Sequence, residues 1–171
     1  MWTLFGAARD QFSGDAELAS VSGNGDLSGN AELCSGLFKS RSRAGRVAWV
    51  YYDGREPTVQ EEAVPDLPYC NGGSVSVSTV LDTPVSGWYV DSDALDAAFA
   101  DVPSTTLVSI MLFPPSLLPD INLCTGGNYH FDVETTGLSS VLVGVARDCG
   151  ADGTYCAVAI DARTGTTLDR Q

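Results

Sequence analysis

The chain has 171 residues, 44% of them apolar, and a mean hydropathy of +0.05, which excludes wholesale disorder and predicts one domain with a sizeable core. Its 22 acidic and 9 basic residues give a formal charge of −13 and a pI near 4.1. Such a surface repels phosphate backbones and anionic lipid, so neither nucleic acid nor a membrane surface is an expected partner, and no apolar run approaches the ~20 residues of a membrane helix.

The opening "MWTLFGAARDQF" lacks the basic n-region, long apolar core and cleavage site of a secretory signal. An exported protein with this sequence is therefore expected to be read from a processed start. Residues 1–36 are rich in Gly, Ser and Asn with isolated Leu and Val, and predict an irregular segment with room for one short strand. Residues 37–171 predict a β-rich domain. At its entrance "KSRSRAGR" gathers Lys39, Arg41, Arg43 and Arg46, four of the nine basic charges. These residues are candidates for contact with an acidic partner or with another copy of the chain; the plainer expectation is a solvated loop before a strand.

"GRVAWVYYDG" is a strand by its β-branched and aromatic content, closed by Asp53-Gly54. "REPTVQEEAVPDLPYC" reads as an extended loop with an acidic middle. Strands are expected at 74–81 and 86–91, split by a turn at Pro84. "DSDALDAAFADVP" is the one good helix candidate: Ser92 or Asp93 can cap it, Leu95, Ala98 and Phe99 share a face, and Pro103 stops it. "TTLVSIMLF" predicts a fully apolar central strand, and "PPSLLPDINLC" a rigid connection. "NYHFDVETT", "SSVLVGVARD", "YCAVAID" and "TTLDRQ" complete the strands. Short strands at roughly ten-residue spacing predict a mainly β fold, an antiparallel sandwich, barrel or propeller-like assembly with at most one short helix. The echo between "PYCNGGSVSVSTV" and "NLCTGGNYHFDVETTG" adds the option of two repeated units, 70–122 and 124–171; a Gly-Gly turn entering a strand explains the same match.

Five cysteines, Cys34, Cys70, Cys124, Cys149 and Cys156, sit in turn-like contexts without the paired spacing of a zinc site. Disulfides are the better account, and with them an oxidising, extracellular or periplasmic compartment. Cys149 and Cys156 bracket a hairpin; the pairing of Cys34, Cys70 and Cys124 stays open, and the odd count leaves one thiol over.

Candidate chemistry is sparse. "DVETTG" is similar to the phrase with which acidic two-metal exonucleases begin their active site, since Asp132 and Glu134 on a strand would share a face. Too few residues follow to supply the remaining ligands, and an ordinary half-exposed strand with Tyr129, Phe131 and Val133 inward is the expectation. The single histidine, His130, meets no nucleophile-elbow pattern. No cofactor is called for. Calcium has candidate ligands at Asp91, Asp93 and Asp96 in "DSDALD" or at Asp148 and Asp152 in "DCGADG", although a helix cap and a hairpin turn explain both. Trp49, Tyr51, Tyr52, Tyr69, Trp88, Tyr89, Tyr129 and Tyr155 suit carbohydrate stacking or protein contact wherever they face outward, with core packing the default at each.

Three pieces, "WTLFGAARD", "GWYVD" and "LVSIMLFPPSLLPDINLCTGGNYHFDVETTG", resemble in order the C-terminal region of the tip-associated adhesins of type IV pili. Ala7 stands where that family has a second glycine, the residues expected after "GWYVD" are missing, and the chain is too short for a complete propeller. The resemblance implies a bacterial surface adhesin and transfers no site residue. The expectation is thus an extracellular, disulfide-stapled adhesion or assembly module that binds a protein or glycan surface. The alternatives are a small secreted carboxylate-dependent hydrolase or lyase and a self-assembling surface filament subunit.

Overall fold

In the computed structural model, residues 2–25, 31–69, 75–88, 93–101, 108–120, 129, 131–147, 149 and 156–171 are described. The fold is mainly β and antiparallel. Eight strands form one open sheet in the order β4-β3-β2-β1-β5-β6-β7-β8. They are β1 Glu17–Gly25, β2 Ala31–Lys39, β3 Arg46–Tyr52, β4 Thr58–Ala63, β5 Val108–Phe113, β6 Val141–Ala146, β7 Cys156–Asp161 and β8 Thr167–Arg170. The chain builds outward twice from the centre. β1 to β4 meander to one edge, β5 to β8 meander to the other, and the two first strands pair antiparallel with Val21 opposite Leu112.

Helical segments, rather than a second sheet, cover both faces. On face A lie α1, Trp2–Ala7, continued by π-helical turns through Ala8–Phe12, and α3, Asp93–Ala98. Leu4, Ala7, Ala8 and Phe12 from the first helix and Leu95 and Phe99 around the second meet Leu18, Phe38, Val50, Leu112, Leu142, Val158 and Ile160 of the sheet. Each helix precedes its own four-strand meander and packs on it. The chain therefore repeats a helix-plus-four-strands plan over 2–63 and 93–170. On face B, α2, Val77–Asp82, and the 3-10 turns Pro115–Asp120 bring Val77, Val80, Leu81, Leu117 and Leu118 onto Leu37, Val47, Met111, Phe113, Val143 and Ala159.

Both faces of β6 and β7 are apolar, because both are covered: all six residues of β6 are buried. Gly144 is where α3 comes down. A Cβ there would stand 2.8 Å from Leu95 Cδ2 and 2.9 Å from the Phe99 ring, so any side chain at this position makes Leu95 or Phe99 shift.

Five sequence expectations change, one of them the strand at 86–91: residues 86–88 form none, and 89–91 lie outside the described residues. The segment 1–36 holds a helix, the whole of β1 and most of β2, in the heart of the sheet. Its Gly, Ser and Asn residues are strand positions stabilised by neighbours on both sides, which local propensity does not register. "VSTVLD" is helical where a strand was expected; Ser76 caps it by accepting from Thr79 N at 3.2 Å, and Val77, Val80 and Leu81 fall on its buried side. β4 lies within the expected acidic loop, and its residues are all exposed or half-exposed because it is an edge. Tyr129 and Phe131 are buried as expected, but 131–135 form no strand. The Cys-x-Gly-Gly echo lies outside the described residues.

Candidate functional site

The expected disulfide between Cys149 and Cys156 is present, with a Cα separation of 5.8 Å, and it ties the chain after β6 to the first residue of β7. Cys34 lies half-buried on β2 against the face A core. Cys70 and Cys124 lie outside the described residues, as do Asp91, Asp148, Asp152, His130, Tyr89 and Tyr155. Asp93 and Asp96 belong to α3. Among the described residues no three His, Cys, Asp or Glu side chains gather as a metal site. Asp132 and Glu134 are both exposed outside any strand, and Asp132 N donates to Asp169 Oδ2 at 3.1 Å.

The basic segment forms the β2–β3 hairpin turn, and its charges face the chain's own carboxylates. Arg43 and Arg46 both reach Glu61, at 2.7 and 3.0 Å, while Arg41 and Lys39 reach Glu17, at 3.1 and 3.9 Å. Lys39 Nζ also donates to Leu81 O at 2.6 Å, and the Arg43 guanidinium lies 5.5 Å from the centre of the Phe12 ring. Arg43 and Arg46 hold Glu61 below the usual carboxylate range against the opposing effect of burial. Beside this turn, Asp15 accepts hydrogen bonds from Ser13, Ser40 and Ser42 hydroxyls at 2.5, 2.5 and 2.8 Å and from Ser42 N at 3.0 Å. Those donors, the Ser13 hydroxyl foremost, depress its pKa strongly. The network locks the start of β1 to the hairpin turn. A shallow groove of about 220 Å³ between Lys39, Arg46, Val64, Ser78 and Leu81 adjoins it.

The expected aromatics divide. Tyr129 is core, Trp49, Tyr52 and Trp88 are half-buried, and Tyr51 is 37% exposed. Tyr69 is half-buried with its hydroxyl enclosed, donating to Ser20 Oγ at 2.6 Å, and burial raises its pKa. Trp2, which sequence reasoning did not single out, is 70% exposed. It meets Trp88 at 5.1 Å with the rings tilted by 40° and Phe5 edge-on at 6.3 Å; Phe5 in turn contacts Phe38 at 6.1 Å and carries the Arg9 guanidinium 4.5 Å above its ring. The spacing Trp2, Phe5, Arg9 is a helical stripe that was legible in the sequence once 2–12 is helical. This cluster is the candidate site: a solvent-facing tryptophan held by aromatic neighbours, with a cation alongside and the sheet beneath.

Among protein-family models, curated proteins and solved structures, none matches this chain. Among the described residues, no helix is long and apolar enough to cross a membrane.

Proposed function

We propose that the domain is a non-catalytic recognition module working in an oxidising compartment, an adhesion or assembly unit that grips a protein or glycan surface through Trp2, Phe5, Trp88 and Arg9. One observation carries the reading: Trp2 keeps 70% of its surface in solvent while its ring lies 5.1 Å from Trp88. A large ring left outside the core costs hydration free energy that contact with a partner would recover, and Trp, Tyr and Arg are the residues that most often dominate binding. The Cys149–Cys156 bond supports the compartment. The cations of the β2–β3 turn already face Glu17 and Glu61, which favours the aromatic cluster over that turn as the gripping surface.

The test immobilises the oxidised chain and measures its retention of cell-envelope fragments and polysaccharides. Trp2→Ala is expected to lower retention about tenfold with the melting temperature unchanged, as for an exposed anchor. Equal retention by Trp2→Ala would refute the aromatic grip. Multiple turnover on a glycan, abolished by one Asp or Glu substitution in a folded chain, would replace the module with a hydrolase or lyase.

A further inference from the structure

The two edges of the sheet are finished differently. β8 runs for four residues, its pairing with β7 is broken by a register shift between Ala159 and Ile160, and its Asp169 carboxylate accepts Asp132 N from a neighbouring segment. β4 has none of these devices. It pairs with β3 over six consecutive positions, from Arg46 opposite Ala63 to Tyr51 opposite Thr58, without a shift, and none of its residues is buried. Short strands, bulges, lysines and covering segments are the usual means of blunting an edge. Pro57 and Pro65 flank β4 and carboxylates line it, which limits what can pair with it but removes no backbone group from the strand.

The register shows which groups stand open. Just beyond the last of those pairs, Gly45 O accepts from Val64 N at 3.0 Å. Bonded and unbonded pairs alternate along an antiparallel ladder, so Thr58, Gln60, Glu62 and Val64 turn their backbone groups to β3, while Val59, Glu61 and Ala63 turn N–H and C=O outward. The side chains beside these outward groups are acidic: Glu56, Glu61, Glu62 and Asp66 are all exposed. Arg43 and Arg46 both go to Glu61. Among the described residues Glu62 is paired with no cation and accepts the Trp49 indole N–H at 2.7 Å. On the opposite face of the strand, Val59 is half-buried against the face A core.

We infer that the β4 edge takes up an extended, lysine- or arginine-bearing segment of a partner protein as a further strand of the sheet. Outward backbone groups supply the pairing, and the side chains beside them choose the sequence. A cationic strand is drawn by the net charge of −13 and brings Glu62 the cation it lacks, whereas a second acidic β4 edge is repelled. Side chains alternate along the incoming strand, so basic residues lie on the Glu62 face and apolar ones beside Val59. The edge shares no residue with the Trp2 cluster.

The test titrates the full oxidised chain at pH 7 with two capped heptapeptides, one alternating lysine with valine and one alternating glutamate with valine, followed by calorimetry and amide hydrogen exchange. The lysine peptide is expected to bind saturably and to slow exchange at Val59, Glu61 and Ala63; the glutamate peptide is expected not to bind. Ala63→Pro deletes one outward N–H and no bond to β3, and should weaken binding at least tenfold. Glu62→Gln keeps an oxygen for Trp49 and loses the charge, and should weaken binding about two- to fivefold with the melting temperature unchanged. Absence of binding by the lysine peptide overturns the inference, and so does full affinity in a folded Ala63→Pro. Binding that leaves exchange at the three outward amides unchanged overturns it as well, since that marks diffuse attraction to the acidic surface. The peptide titration and the retention of envelope fragments read different residues, so either reading can fail while the other stands.

Discussion

Gly144 and Asp15 show how single positions set local geometry by opposite means. At Gly144 the absence of a side chain is the function: Leu95 and Phe99 occupy the space a methyl group would take. Gly144→Ala must push α3 off the sheet or force Leu95 and Phe99 from their rotamers, at a cost of about 1–3 kcal/mol, read from the shift in urea midpoint. Asp15 acts through charge. Its carboxylate gains four hydrogen-bond donors on folding, so its pKa falls below the ordinary 3.8. A depressed carboxylate stabilises the fold fully above its unfolded pKa and loses that contribution as pH drops through the folded value. Asp15→Asn should therefore be less stable than the parent at pH 7, with the gap narrowing below about pH 4 in parallel thermal melts.

At the scale of elements, what the sequence made legible followed burial. β3, β5, β6, β7 and α3 lie near their expected places because their apolar content and end signals agree with their environment, and β8, exposed to half-buried at the far edge, follows from the turn after β7. Elements whose identity depends on distant partners were illegible. "SVSVSTV" satisfies a strand's alternation and, from Val77, a helix's face equally well; Ser76 and the apolar sheet surface decide for the helix. β1 and most of β2 read as irregular sequence with room for one short strand, because their Ser, Gly and Asn positions become strand only when neighbours pair on both sides. Trp2 is more exposed than Tyr51, a difference local sequence does not carry, since exposure is decided by which helices land where. The β6–β7 connection depends on a covalent element instead. Cys149 and Cys156 are seven positions apart, a short loop whose closure is worth about 2 kcal/mol in the unfolded state. Replacing both by Ser should lower stability by about that much and increase amide exchange around Ala146 and Ala157, while leaving β1–β4 protected.

Over the whole molecule, the open sheet has two edges, and the acidic surface guards one of them. β4 presents Gln60, Glu61 and Glu62 along an exposed strand, and Glu61 is shared by Arg43 and Arg46. Unpaired edges recruit other chains unless charge or bulk repels them. With 22 acidic residues against 9 basic, that repulsion is global at neutral pH and vanishes near the pI of 4.1. The chain should therefore sediment as a dispersed species at pH 7 and associate reversibly as pH approaches 4, before the fold is lost. Replacing Gln60 and Glu62 with Val leaves "TVVEVA", whose outward positions on face B are apolar; it should associate already at pH 7, detected as a rise in scattering with unchanged far-ultraviolet dichroism. If the double variant stays dispersed at pH 7 while the parent still associates near pH 4, net charge alone governs solubility and the β4 edge has no special part in it.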